Sequence, residues 1–378
     1  MTKELGIGIV GCGYISKTYF TLAPLFHGIR IVACADIDPA ATKARAEEYG
    51  VAAQSVEALL GNGKVDIVVN LTVPSAHFEV TKAALDAGKH VYSEKPLVLS
   101  MEEGEALRRL ADEKGLVVAS TPDTFLGGAH QHARAVLDEG LIGRVVSGTC
   151  HVMSRGMEHW HPNPDFFFKP GAGPILDVGP YYVANLINLI GPVRRVGALT
   201  SMARTEREIL CEPRKGEMVA VETPTTIHAL LEFEQGATVT LSASWDVWTH
   251  GHAPMELYGT EGSLFVPDPN FFGGPVEAAR QGAAIAPLEA WDHPLEIVNQ
   301  EHPDGMKANY RTVGLAEMAD AIVAGREPCC SIDRALHGVD IMTSILRSGE
   351  EKRFVELTTT CERPPAFGVS KARALLKD

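Results

Sequence analysis

The stretch LGIGIVGCGYIS, residues 5–16, decides the fold. It joins a short apolar run, Leu5 to Val10, to a loop in which Gly11 and Gly13 are followed by Ser16, the pattern GxGxx with a small last residue. Between a strand and a helix, the first glycine makes a tight turn and the second lets a pyrophosphate approach the backbone. The small third residue lets helix and strand pack closely. The residues predicted to bind a dinucleotide here are Gly11, Gly13, Tyr14 and Ile15.

A carboxylate at the end of the next apolar run strengthens this interpretation. Residues 30–35 form that run, and Asp36 follows Gly11 by 25 positions. An acidic residue at this distance takes both hydroxyls of an adenine ribose. Asp38 adds a second carboxylate, and no Lys or Arg stands at positions 37–39 to receive a 2′-phosphate. The sequence therefore favours NAD over NADP.

Apolar runs and helical segments then alternate through residue 120. Near-continuous apolar runs of this kind are typical of parallel strands that are buried on both faces. Ser100 with Glu103 makes a capping box at the start of one helix. The alternation predicts an α/β fold with a doubly wound parallel sheet. The predicted segments are strands at 65–71, 90–93 and 116–120 and helices at 39–49, 77–87 and 101–114.

The composition excludes several classes of function. The net charge of −14 and the absence of basic runs with interleaved aromatic residues argue against a nucleic-acid partner or an anionic membrane surface. No apolar run approaches the ~20 residues that span a bilayer. The seven cysteines show no CxxC spacing, which favours reduced thiols and a cytoplasmic location. No cluster has metal-ligand spacing, so no metal is expected.

The stretch HVYSEKPLVLS, residues 90–100, places Lys95 between Glu94 and Pro96. It lies at the end of a predicted parallel strand, where ligands of doubly wound sheets bind. Taken alone, the three residues favour a surface turn with a solvated charge pair. Their position in the predicted sheet favours a ligand-facing lysine.

The second half of the chain has a different pattern. Residues 237–245 alternate between apolar and polar side chains, and residues 225–233 supply a hairpin partner. A period of two predicts a mainly antiparallel sheet that is covered on one face. The predicted domains are 1–122, which binds NAD(P), and 123–378, an α+β domain for substrate binding and oligomerisation. Final helices at 312–324 and 332–346 pack back on the first domain, and residues 267–311 are left unassigned.

Four ordered motifs resemble the Gfo/Idh/MocA oxidoreductases, a family named for glucose–fructose oxidoreductase and inositol dehydrogenase. The resemblance is dense over residues 5–123 and thinner afterwards. It implies sugar or cyclitol substrates and dimers or tetramers formed through the C-terminal sheet. The motifs are GIVGCGYIS (8–16), CADIDP (34–39), NLTVPSAHFEVTKAALDAGKHVYSEKPL (70–97) and GAGPILDVGPYY (171–182).

In this family the lysine of the EKP motif lies beside the nicotinamide and the substrate hydroxyl, so Lys95 takes that role by resemblance. Glu94 shapes the loop and helps to hold the cofactor. Thr72, Pro74 and His77 match the segment that lines the nicotinamide and its ribose. For His77, a structural role at a helix start that bonds backbone is an equal alternative.

The resemblance also implies a second chemical cluster. The family's pattern is Asp-x-Gly-x-His, whereas this chain has Asp177, Gly179 and then Tyr181 in the place of the histidine. Four positions apart on one helix, Asp177 and Tyr181 would share a face. The departure leaves the proton carrier open, and a helix-capping role for Asp177 is an alternative. Upstream, His161 is the preferred substrate contact, weighed against a structural histidine.

These residues lead to three hypotheses. The first is an NAD-dependent dehydrogenase that oxidises a hydroxyl of a sugar or cyclitol, with Lys95 as acid/base, Asp177 as orienting group and Tyr181 as a further donor or acceptor. The second is a glycosidase that uses NAD for a transient oxidation and elimination. The third is a non-catalytic sensor of NAD and sugar. The intact Glu94, Lys95 and Pro96 weigh against the third.

Overall fold

A computed structural model of the chain describes residues 4–303 and 305–377. They form two compact units, each built from separated stretches of chain. The first contains the residues up to Gly128, Asp292–Val339 and those from Pro364 onward, and the second contains Ala129–Trp291 and Asp340–Arg363. The predicted division into domains 1–122 and 123–378 stays a prediction.

The N-terminal stretch alternates strands with helices. Its strands are β1 (Leu5–Val10), β2 (Ile29–Ala35), β3 (Ala52–Ala53), β4 (Ile67–Asn70), β5 (His90–Ser93) and β6 (Val118–Ser120). Its helices are α1 (Ser16–Leu22), α2 (Pro39–Tyr49), α3 (Val56–Leu60), α4 (His77–Asp86) and α5 (Met101–Lys114). Helix α2 begins after Asp38, whose side chain accepts from the Ala40 amide, and α5 begins after Ser100, whose side chain accepts from the Glu103 amide. The cap at Ser100 is the capping box predicted from the sequence.

These strands form one parallel sheet in the order β3-β2-β1-β4-β5-β6. All residues of β1 and β4 are buried, which explains their near-continuous apolar sequences. The strand order reverses between β1 and β4, and a crevice at such a point is where dinucleotides bind. The predicted doubly wound sheet is confirmed.

The stretch from residue 129 to 291 contains most of the second unit. Its helices are α6 (Gly128–Asp138), α7 (Pro174–Asp177) and α8 (Gly179–Leu189). The first residue of α6, Gly128, still belongs to the first unit. Its strands are β7 (Val145–Met153), β8 (Val193–Ser201), β9 (Glu206–Glu208), β10 (Met218–Ala220), β11 (Thr226–Phe233), β12 (Thr238–Ser244), β13 (Met255–Gly259), β14 (Gly262–Val266), β15 (Glu277–Arg280) and β16 (Ala286–Pro287).

The remaining elements are short strands and the closing helices. They are β17 (Gln300–His302), β18 (Gly305–Lys307), α9 (Val313–Ala324), α10 (Ile332–Glu351), β19 (Val355–Glu356) and α11 (Val369–Leu375). Short 3₁₀ turns lie at Ala23–Leu25, Pro74–Ala76, Thr124–Leu126, Asp165–Phe168 and Pro294–Glu296. In the described part of the chain, no helix combines the length and the apolar character that a bilayer crossing requires.

A nine-stranded sheet forms the second unit, in the order β16-β15-β14-β13-β7-β12-β11-β8-β19. The pair of β7 and β12 is parallel, and the other neighbours are antiparallel. The predicted hairpin of β11 and β12 and the mainly antiparallel sheet are confirmed. The polar face is less open than the alternation suggests. Ser242 and Ser244 are both buried, and their hydroxyls bond His228 and Thr226 on the neighbouring strand.

Helix α10 reaches the apolar core of the first unit through Leu336 and Val339. Gly104 on α5 makes this approach possible, since a Cβ at that position would lie 2.3 Å from the Leu336 side chain. Residues of α10 from Asp340 onward belong to the second unit. The helix was predicted to end at residue 346, and it continues to Glu351.

Candidate functional site

The glycine-rich loop after β1 is shaped by two glycines with different surroundings. Gly11 has φ +102°, and a Cβ there would lie 2.6 Å from the Leu71 carbonyl, so only glycine fits. At Gly13 a Cβ would meet no described atom within 4 Å, so this side of the loop is open. Ser16 starts α1, is buried, and donates its hydroxyl to the Gly13 carbonyl at 2.7 Å. The loop therefore presents an accessible backbone on one side and is closed behind.

Two backbone amides fix the Asp36 carboxylate at the end of β2. Cys12 N donates to Oδ2 at 2.7 Å, and Asp38 N donates to Oδ1 at 2.9 Å. The side chain of Ile37 is 97% exposed, and that of Tyr14 in the glycine-rich loop is 92% exposed. Large apolar side chains this exposed beside an ordered carboxylate indicate a ligand-binding surface. The remaining lone pairs of the carboxylate can accept hydroxyl groups.

Arg45 on α2 holds the same loop, and the sequence analysis missed it. Its Nη2 donates to the carbonyls of Cys12 and Gly13 at 3.3 Å each, and its Nη1 pairs with Glu48 at 2.5 Å. The Arg45 side chain is only 11% exposed. Because the carbonyl partners lie more than 30 positions away in the sequence, no local pattern could have identified this contact.

The segment after β4 is organised by Asn70, a second residue that the sequence analysis missed. Its Oδ1 accepts from the hydroxyl of Thr72 at 2.7 Å and from the Thr72 amide at 3.2 Å. Its Nδ2 donates to the Thr81 hydroxyl at 3.1 Å and to the His77 carbonyl at 3.0 Å. Pro74 begins the 3₁₀ turn that follows. Thr72 and Pro74 thus lie at the carboxyl end of β4, where the sequence places them.

His77 joins two loops of the first unit. The ring is fully buried, with Nδ1 at 2.7 Å from the Pro96 carbonyl and Nε2 at 3.0 Å from the Thr72 carbonyl. Both partners are backbone carbonyl oxygens. These bonds match the alternative in which His77 bonds backbone at a helix start. Direct contact of His77 with a cofactor stays a prediction.

The Glu94 carboxylate is engaged by other groups of the chain. Tyr19 donates its hydroxyl to Oε1 at 2.9 Å, and Thr121 donates its hydroxyl to Oε2 at 3.1 Å. The Lys95 amide also donates to Oε2, at 3.2 Å. Lys95 itself is half-buried and precedes Pro96 through a cis peptide bond. Side chains from α1 and from the end of β6 therefore set the shape of the loop that carries Lys95.

Asp123 is a buried carboxyl group that the predicted site did not include. It is 2% exposed, and burial raises its pKa although the amides of Gly314 and Thr312 donate to it at 3.0 Å each. A strongly perturbed carboxyl can mark a functional site. Here both bonds are those of a cap at the start of α9, so we assign Asp123 a structural role.

The predicted helix around Asp177 and Tyr181 is divided. Asp177 is the last residue of α7, and Tyr181 lies in the first turn of α8, with Val178 between the two helices. The expectation of one continuous helix was wrong. Pro180 lacks the N–H that an uninterrupted helix would donate, which accounts for the break. Both Asp177 and Tyr181 are half-buried.

A buried ion pair anchors the segment that precedes these helices. Arg207 on β9 is 5% exposed, pairs with Glu158 at 2.7 Å and also binds Asp246. It donates further to the carbonyls of Trp245 and Arg155, at 3.1 and 3.2 Å. This network fixes residues 154–160 against the end of β12.

That segment lines a cavity of about 500 Å³ within the second unit. The cavity wall includes Arg155, His159 and Trp160, whereas His161 is not part of it. His161 accepts from the Asn163 amide at 3.1 Å, and its ring lies edge-on to three aromatic rings. Its surroundings match the structural alternative, and His159 is the histidine of this segment that faces the cavity. The cue that favoured His161 was composition, which cannot show where a loop side chain points.

Across residues 4–303 and 305–377, the structure brings no three His, Cys, Asp or Glu side chains into an arrangement that could hold a metal ion.

Two family models match the chain, one in each half. Residues 5–121 match the oxidoreductase family with an NAD-binding Rossmann fold. Residues 130–265 match the GFO/IDH/MocA C-terminal domain. The first match covers the six-stranded sheet, and the second covers part of the nine-stranded sheet, with β15, β16 and β19 outside it.

Individual relatives agree with these matches. Levoglucosan dehydrogenase of Pseudarthrobacter phenanthrenivorans is 25% identical over 69% of this chain and 73% of its own length. An uncharacterized oxidoreductase of Schizosaccharomyces pombe is 29% identical, but the match spans only 41% of each chain. A solved structure of levoglucosan dehydrogenase in complex with NADH superposes with a TM-score of 0.80 over 94% of this chain and 100% of the other, at 20% identity.

Proposed function

The chain belongs to the GFO/IDH/MocA oxidoreductase family with an NAD-binding Rossmann fold, and from this we propose that it is an NAD-dependent dehydrogenase of a sugar, sugar derivative or cyclitol hydroxyl. Lys95 is the acid/base. The observation that carries the proposal is the position of Lys95, at the end of a strand in the NAD-binding sheet, in a loop fixed by Tyr19, Thr121 and His77.

The residues at the carboxyl edge of the first sheet fit NAD. The open backbone at Gly13 accommodates a pyrophosphate, and the Asp36 carboxylate can accept both hydroxyls of the adenine ribose. Tyr14 and Ile37 offer exposed apolar faces for the rest of the nucleotide. When bound, the nicotinamide supplies a hydride acceptor or donor. The negative charge of Asp36 disfavours a 2′-phosphate, so NAD is preferred over NADP.

Lys95 moves the proton of the substrate hydroxyl. Glu94 is the nearest carboxylate in sequence, and its oxygens are held by Tyr19, Thr121 and the Lys95 amide. We assign Glu94 the task of shaping the loop and helping to hold the cofactor. A lysine placed by such a loop can act as a general base in oxidation and as a general acid in reduction, an effect of about 10²–10⁴-fold in rate.

Asp177 and Tyr181 are assigned to the substrate in this proposal. The carboxylate orients a hydroxyl of the substrate, and the phenol donates to or accepts from the reacting oxygen. The levoglucosan dehydrogenase relative is named for a sugar substrate, which supports the same substrate class for this chain.

The test is a panel of sugars, sugar acids and inositols, each assayed with NAD and with NADP. We expect steady formation of NADH with at least one member and slower turnover with NADP. Product analysis then separates this activity from transient oxidation, because a glycosidase would release a free sugar and return its hydride without net NADH.

The Lys95→Ala variant tests the assigned acid/base. We expect kcat to fall by about 10²–10⁴-fold while NAD affinity, measured by calorimetry, stays unchanged. The matched control is Lys89→Ala, since Lys89 lies at the opposite end of the same strand, just before β5, and donates to the carbonyls of Asn62 and Val65. Unchanged turnover in Lys95→Ala would contradict the assignment.

A further inference from the structure

Two exposed tryptophans stand next to the cavity of the second unit. Trp160 is 62% exposed and Trp248 is 70% exposed, whereas Trp245 between them in sequence is 1% exposed. Indole side chains dominate binding energetics where they lie uncovered, and leaving two of them in water is costly unless a ligand covers them. The neighbouring fully buried tryptophan shows that this part of the fold can enclose an indole. The exposure of the other two therefore needs an explanation.

A second cavity shares part of its wall with the first. The first, of about 500 Å³, is lined by Trp160, and the second, of about 210 Å³, is lined by Trp248. Arg155, His159 and Trp245 belong to the walls of both. One water molecule takes up ~30 Å³ in the liquid. Even if each non-hydrogen atom of a hexose is given that volume, the first cavity alone is larger than a single hexose. The combined space suits a ligand of two rings.

His159 lies in the wall that the two cavities share. Its Nε2 lies 2.9 Å from the Arg155 carbonyl, and its ring centroid lies 6.1 Å from that of Trp248. The Arg155 guanidinium forms no ion pair with any described carboxylate, so its donors are available to hydroxyl groups of a ligand. Aromatic faces with adjacent polar donors match a pyranose ring, which has an apolar face and a polar edge.

The support beneath this surface is rigid. The backbone carbonyl of Arg155 accepts from Arg207, and the same guanidinium holds Glu158 and Asp246, which both line the second cavity. Such preorganisation reduces the entropy lost when a ligand binds. Trp160 and Trp248 thus stand on segments that one buried arginine fixes.

We propose that Trp160, His159 and Trp248 form a second-ring subsite, so that the substrate is a glycoside: a sugar ring that carries a further sugar or aryl ring through its glycosidic oxygen. The inference rests on the proposed function for the oxidised ring. It adds the requirement that the reacting sugar bears a second ring which stacks on the indoles.

The experiment compares matched pairs of substrates. For each sugar that is turned over in the panel, kcat/KM is measured for its methyl glycoside and for its phenyl glycoside with the unmodified enzyme. The phenyl ring adds a stacking face without adding a hydroxyl. We expect the phenyl glycoside to be favoured by about tenfold, since one aromatic contact is worth roughly 0.5–1.5 kcal/mol beyond its buried area.

The variants Trp248→Ala and Trp160→Ala should bring the ratio of phenyl to methyl glycoside toward one, and Trp248→Tyr should restore much of it. Phe354→Ala is the control, because Phe354 is an aromatic residue of the same unit, 55% exposed, that lines neither cavity. Its ratio should equal that of the unmodified enzyme. A ratio that Trp248→Ala and Trp160→Ala leave unchanged overturns the subsite.

Binding measured without turnover keeps the two proposals separate. Calorimetric titration with the same phenyl and methyl glycosides reports the subsite even if no sugar is oxidised. Turnover of sugars without preference for phenyl glycosides would overturn the subsite and leave the dehydrogenase proposal intact. Tighter binding of phenyl glycosides that depends on Trp248, with no oxidation of any sugar, would support the subsite and contradict the proposed function.

Discussion

At the scale of single residues, the contacts that shape the candidate site connect distant parts of the sequence. Local sequence motifs predicted roles for Gly11, Asp36 and Lys95. Tyr19 and Thr121 could not be identified in this way, because the Glu94 carboxylate that they bind lies 75 and 27 positions away. Such partners become visible only when the strand order of the sheet is known.

His130 gives a residue-scale prediction of pH dependence. It is fully buried, with Nε2 at 2.8 Å from the Phe271 carbonyl and Nδ1 facing the Asn185 amide nitrogen at 3.1 Å. Burial lowers its pKa from 6.5 to about 4. The unfolded chain therefore binds the proton first as the pH falls, and the folded state loses stability between pH 6.5 and about 4.

We expect this histidine to contribute roughly 3 kcal/mol to the decline in unfolding free energy across that interval. Urea denaturation at several pH values measures the decline. His130→Gln can keep both hydrogen bonds without titrating, so its decline should be shallower. His27→Gln, at an exposed position, should follow the unmodified protein. An equally steep decline in His130→Gln would exclude the assignment.

At the scale of elements, the structure departs from the sequence-based prediction in two situations: where strand pairing decides that a segment is a strand, and where a backbone break divides a helix. Residues 193–201 form β8, although their arginines and Gly197 obscure the alternation of apolar and polar side chains that would predict a strand. The segment is a strand because β11 and β19 pair with it. Residues 267–311 could not be assigned from the sequence because β15 to β18 are only two to four residues long, too short to show an alternation. The Gly179-Pro180 pair, by contrast, was a visible signal for the break between α7 and α8.

The hairpin of β9 and β10 carries the element-scale prediction. Its Arg207 is 5% exposed and neutralises Glu158 and Asp246. In Arg207→Met the buried Glu158 carboxylate loses its ion-pair partner, and the partly buried Asp246 carboxylate keeps only the hydroxyls of Thr225 and Thr226. We therefore expect the unfolding free energy to fall by about 3–5 kcal/mol. Arg194→Met is the control, because the ion pair of Arg194 with Glu232 is at the surface and should contribute at most about 1 kcal/mol. If urea denaturation showed the same loss of unfolding free energy in Arg207→Met and Arg194→Met, the stabilising role assigned to the buried ion pair would be wrong.

At the scale of the whole molecule, two leucines lie exposed on one face of the nine-stranded sheet, Leu199 at 71% and Leu230 at 51%. Adjacent strands β8 and β11 carry these residues, and His228 pairs directly with Leu199. Apolar side chains that recur on one sheet face are typical of a subunit contact. We propose that this face joins copies of the chain into a dimer or tetramer.

Leu230→Glu tests that contact. A carboxylate at this position would have to be buried without a partner in the assembly, so the variant should shift toward monomer. Light scattering coupled to size-exclusion chromatography measures the molar mass. Leu25→Glu, at an exposed position of the first unit, should keep the mass of the unmodified protein. A monomeric unmodified protein would rule out the proposed contact.

The interleaved first unit has a consequence for synthesis on the ribosome. Its parallel sheet is complete in sequence at Ser120, yet Ser120 N donates to the Cys330 carbonyl and His27 N donates to the Leu375 carbonyl. At ~5–20 residues per second, the last of these partners is translated tens of seconds after the sheet. During that interval the dinucleotide-binding sheet of the nascent chain lacks the segments that contact Ser120 and His27. Chaperones that bind exposed apolar surface can act on the sheet in this interval.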